Sequence, residues 1–140
     1  VENTIFDDTI GFSMYGWDLP DPLKPSLQPL VDESKGKYDS KVKKTLSTPI
    51  PYRVMIPQPI SNLLCPGRAI SVERDVLGPL RVMAPCMAMG EACGIAAGYM
   101  VSTDCCAAAV NIPSLRKTLR ERGAIVDKEA LPIITPREDP

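Results

Sequence analysis

Arg68 and Arg81 lie in two neighbouring motifs, Asn62-Leu-Leu-Cys-Pro-Gly67-Arg68-Ala-Ile-Ser71 and Gly78-Pro-Leu-Arg81-Val-Met83-Ala84-Pro85-Cys86-Met87-Ala-Met-Gly90-Glu-Ala-Cys-Gly94-Ile-Ala-Ala-Gly98. A guanidinium grips phosphate or carboxylate through two parallel hydrogen bonds, and its charge does not titrate away. The second motif reads as a helix starting near Pro85, because proline fits the first helical turn where its missing N–H costs nothing. Such a start turns free backbone N–H groups and the positive end of the helix dipole toward an anionic group or an electron-rich ring. Binding and charge stabilisation are therefore the chemistry on offer. Acid or base catalysis has less support, since the chain contains no His and its Asp and Glu residues lie mostly in loop-like stretches.

The five cysteines, Cys65, Cys86, Cys93, Cys105 and Cys106, include no C-x-x-C pair. Without His they make no familiar zinc set. Their number is odd and their neighbours are mostly apolar, which points to free, buried thiols acting as small apolar filling. Adjacency alone would allow a strained bridge between Cys105 and Cys106.

The elements that must position these residues follow from periodicity and from proline. Ile5, Phe6, Ile10, Phe12 and Met14 alternate loosely and predict one or two strands, with a bulge at Gly11. Gly16 to Pro29 reads as a proline-punctuated loop. Residues 32 to 48, with Lys35, Lys37, Lys41, Lys43 and Lys44, read as an exposed connection. Val54–Ile56 and Leu63–Cys65 are short extended runs. The principal helix runs from about Pro85 to Asp104, and a second from Pro113 to just before Gly123, with Leu115 and Leu119 on its inner face. Ala124, Ile125 and Val126 suggest a short terminal strand, and the residues after Asp127 an extended tail.

Between Val82 and Thr103 only Glu91 is charged, and Gly90, Gly94 and Gly98 recur every four residues on one face. A membrane span would be long enough, but Pro85 and Glu91 interrupt it and no aromatic or basic belt flanks it. A core helix packed on a sheet remains, and the glycine stripe would let another backbone approach closely.

Together the motifs resemble the carboxy-terminal flavin-binding stretch of the FAD-dependent oxidoreductases, of the pyridine nucleotide-disulfide oxidoreductase-like kind. The likeness extends upstream to Ile50-Pro-Tyr52-Arg53-Val-Met-Ile-Pro57 and downstream to Leu115-Arg116-x-x-Leu119-x-x-x-Gly123-Ala124, so it covers residues 50 to 126. Weaker likenesses lie in Asp7-Asp8-Thr9-Ile10 and Asp18-Leu19. Where the family usually carries a His soon after the second of these, Pro20 stands. The chain also lacks the Gly-x-Gly-x-x-Gly turn that cradles a dinucleotide pyrophosphate.

The resemblance implies an α/β fold, or α+β when this chain is taken alone. A carboxy-terminal strand-loop-helix of a dinucleotide-binding fold would be joined to a few substrate-domain strands and a terminal helix. It divides the chain into substrate-domain strands and a connection at 1–48, an FAD-binding segment at 49–126 and a tail at 127–140. It implies FAD as cofactor, contacted by Gly67, Arg68, Ser71, Gly78, Arg81, Met83, Ala84, Pro85, Cys86 and Met87. The N–H groups of Cys86, Met87 and Ala88 would face the negative charge that a reduced flavin carries near N1. Arg68 would meet a phosphate, a carboxylate or only a surface partner. Arg81 would meet the flavin carbonyl, a substrate group, or Glu73 or Asp75. No catalytic residue follows.

The expected protein is an FAD-dependent oxidoreductase represented by its carboxy-terminal part. Alone it should bind FAD weakly or not at all, and its partner would be the missing amino-terminal portion or another chain. The apolar helix flank makes a homo-oligomer the further expectation. The alternative is a non-catalytic interaction module that keeps the flavin-site scaffold for packing. A net charge of −1 over 140 residues gives no reason to expect nucleic acid, and no membrane partner is expected.

Overall fold

The computed structural model describes residues 5–15 and 47–132. The Gly16–Pro29 loop, the lysine-rich run up to residue 46 and the tail from 133 lie outside the described residues.

Two short strands, β1 (Thr9–Ser13) and β2 (Thr48–Pro51), pair antiparallel, with Gly11 opposite Ile50 and Ser13 opposite Thr48. Thr9 faces Pro51, so Ile10 is the extra residue and the ladder is irregular between Thr9 and Gly11, beside the glycine where a bulge is expected. Pro49 and Pro51 read as loop, yet they sit in β2. A two-stranded ladder uses only one edge of each strand, so prolines are tolerated there. The run expected to extend at Val54–Ile56 instead coils into a 3-10 turn over Tyr52–Met55.

Three helices follow. The first, α1 (Arg74–Leu80), was not anticipated. Pro79 stands inside it and offers its last turn no backbone N–H, while the Pro79 carbonyl accepts a buried hydrogen bond of 2.6 Å from Ser13 Oγ. The long helix α2 (Met83–Thr103) buries Pro85, Met89, Ala92, Cys93 and Ala96 on one face, which lies against β1. Asp104 ends it in a left-handed conformation and donates its N–H to Met100 O.

Helix α3 (Ile112–Glu121) begins one residue before Pro113, where Asn111 Oδ1 accepts the Ser114 N–H at 2.9 Å. Leu115 and Leu119 are buried, and Gly123 stops the helix with φ +91°. Tyr99 Oη and Thr118 Oγ1, 2.8 Å apart, join α2 to α3.

No strand forms at Ala124–Val126. Instead the Arg116 guanidinium holds this stretch, donating to Val126 O at 3.2 Å, to Asp127 Oδ1 at 2.9 Å and to Thr9 O. One apolar core joins Ile10 and Ile50 from the sheet, Tyr52 and Met55 from the 3-10 turn, and Leu80, Met89, Ala96, Leu115, Leu119 and Val126. The chain is thus mixed helix and small sheet, in line with the expected α/β class. Among the described residues no helix is long and apolar enough to cross a membrane.

Candidate functional site

The start of α2 is built two residues earlier than Pro85 suggests. Val82 enters in extended backbone, φ −82° and ψ 165°, and no side chain caps the helix there. The first turn carries no acidic residue either. The N–H groups of Met83 and Ala84 therefore point out past the first turn, and Pro85 has none to offer. Cys86 N–H already donates to Val82 O at 3.2 Å. Met87 and Ala88 lie further in, where the helical pattern consumes their N–H groups. This corrects the expectation that Cys86, Met87 and Ala88 present free donors: proline is accepted throughout the first turn, so Pro85 marks the helix start only to within that turn.

Against this start lies a 3-10 turn over Gly67–Ala69, entered from Pro66. Gly67 has φ +77°, a left-handed backbone that glycine adopts without cost. A Cβ built on it would meet Cys86 Sγ only at 3.8 Å, so the turn lies beside the Cys86 side chain with room for a methyl group between them. Arg68, at the centre of the turn, is exposed. Ser71, also exposed, is fixed through its backbone, its N–H donating to Val54 O at 2.8 Å. Cys86 Sγ lies 3.9 Å from Leu80 O, which ties the end of α1 to the same point.

The remaining residues divide by depth. Gly78 is buried inside α1, and Pro85 is buried on the inner face of the first turn of α2. Arg81 is half-buried at the end of α1, its N–H donating to Leu77 O, one residue before Val82. Met83 and Met87 are 84% and 75% exposed, one helical turn apart. The structure thus brings Gly67 beside Cys86, with Arg68 on the turn and Arg81, Met83, Ala84 and Met87 around the helix start. Gly78 and Pro85 form the frame behind them. Sequence reasoning missed α1 and the role of Leu80 O. Val76, Leu77 and Leu80, spaced i, i+1 and i+4, were the signal for that helix.

All five thiols are free, but only Cys93 is buried; Cys65, Cys86 and Cys105 are half-buried and Cys106 is exposed, so the expectation of five buried thiols holds at Cys93 alone. Cys93 Sγ sits 3.4 Å from Met55 Sδ. Burial first, and then the neighbouring Cys65, pushes the Cys93 thiol up to about 11. The Tyr52 hydroxyl, which donates to Ala107 O at 3.0 Å, is pushed up to about 12, mainly by burial. Both groups stay neutral near pH 7 and act as packing. No group of three or more metal-ligating side chains exists among the described residues.

The model of one protein family, FAD dependent oxidoreductase, matches residues 1–119. No curated protein and no solved structure matches the chain.

Proposed function

The chain belongs to the family of FAD-dependent oxidoreductases, and from that premise we propose that it forms the carboxy-terminal part of the flavin site, with the start of α2 beside the isoalloxazine ring. One observation carries this reading: a 21-residue helix starts without a side-chain cap or an acidic residue, with Met83 exposed at its tip. An end of this kind fits a group that develops negative charge. FAD, when bound, supplies the hydride chemistry.

This chain's share is to bind, orient and stabilise charge. The N–H groups of Met83 and Ala84 would face the electron-rich edge of the ring. The exposed side chains of Met83 and Met87 would lie along its apolar surface, and Arg68 on its turn would take a phosphate. Gly67, free of a Cβ, lets the backbone pass close beneath the cofactor, while Gly78 and Pro85 hold the frame. Arg81 stands between the two helices and Ser71 at the exit of the turn. A helix start contributes about 0.3–1 kcal/mol to a nearby anion at an exposed site.

A second reading is favoured by the outer face of α2. Among the described residues a Cβ placed on Gly90, Gly94 or Gly98 would meet nothing within 4 Å, and Met83, Met87 and Val101 on that side are all at least 75% exposed. This face would pack against the dinucleotide-binding remainder of the protein or against another copy. As a packing module alone, the chain would need no flavin.

Ala84→Asp separates the two. A carboxylate in the first turn favours the helix itself, so the fold should hold, yet it would occupy the place of the anionic ring edge. In the flavin-loaded protein we expect weaker FAD binding and a reduction potential lower by about 20 mV, the equivalent of about 1 kcal/mol for a two-electron couple. Unchanged affinity and potential would remove the flavin from this helix and leave the packing reading. The unmodified chain alone should bind FAD weakly or not at all and should self-associate, as light scattering and a flavin titration would show.

A further inference from the structure

We draw no further inference here: the strongest candidate, the exposed outer face of α2 at Met83, Met87, Gly90, Gly94, Gly98 and Val101, carries nothing, because nothing among the described residues shows what covers it.

Discussion

Asp104 closes α2 at φ 50° and ψ 48°, a left-handed conformation in which an L side chain crowds the following carbonyl. It also sets a negative charge at the negative end of the helix dipole. Glycine at this position removes both penalties, so Asp104→Gly should raise stability by about 1 kcal/mol, read from a denaturant midpoint. Asp127 shows the opposite logic. The hydrogen bond from Arg120 Nε at 2.8 Å, with help from Arg116, holds its carboxyl below the usual carboxylate value, although partial burial opposes this. A depressed folded value means that the native chain binds fewer protons than the unfolded one, so stability is lost as pH falls from about 4 downward. Asp127→Asn should be less stable than the parent at neutral pH, and the gap should close in acid titrations of the two. Among the thiols, a disulfide reagent at pH 8 should modify exposed Cys106 quickly and spare Cys93 until the chain unfolds. The raised Cys93 value, about 11 against an ordinary 9.0, favours the folded chain below that window, and the contribution fades as pH rises through it.

Helices α2 and α3 divide their labour by face. On α3, Leu115 and Leu119 are fully covered, while Lys117, Arg120 and Arg122 face water. Leu115→Ala leaves a cavity in that core and should cost about 2–5 kcal/mol in equilibrium unfolding. On α2, Ala92 and Ala96 are buried on the inner side, and it is Ala88 that a Cβ on Gly11 of β1 would meet, at 3.8 Å. A Cβ on the outer glycines would meet nothing among the described residues, and Gly94 is exposed. In the isolated chain Gly94→Ala should therefore be stabilising by about 0.8–1.0 kcal/mol, since the helix gains propensity and meets no clash. If the glycine face is instead a surface for close approach, the same change should weaken assembly, and a binding assay with the remainder of the protein would show the two effects with opposite sign. Both helices were legible in the sequence to within about a turn, because capping residues, prolines and a charge-free run are local signals. The short α1 was not, since Gly78 and Pro79 speak against a helix, and its last turn is held by burial against β2 and by the hydrogen bond from Ser13 of β1 to Pro79 O.

At the scale of the molecule, the sheet and the helices are joined by bonds that cross long stretches of chain. Ser13 Oγ reaches Pro79 O across 66 positions, and Arg116 reaches Thr9 O across 107. Arg53, stacked 5.0 Å over Phe6 and paired with Asp8 at 2.8 Å, fastens the 3-10 turn over Tyr52–Met55 to the turn before β1. The residues of the candidate site belong to the same web. The 61–66 loop that leads to Gly67 is held down at both ends, Cys65 N–H donating to Met55 O at 2.8 Å and Ala107 N–H to Ser61 O at 2.8 Å.

The sequence by itself determined the family resemblance, the two longer helices, the left-handed stop at Gly123 and the neighbourhood of the bulge beside Gly11, since each is written in residues close together along the chain. Only the tertiary structure decided which N–H groups at the start of α2 remain free, that Gly78 is buried while Met83 and Met87 are exposed, and that 124–127 is clamped by Arg116 instead of forming a strand. Those outcomes depend on what lies opposite each residue. A pattern along one chain states which faces are apolar, but the partner of each face is chosen by long-range packing, where Cys86, Gly67 and Leu80 come together from three separate segments.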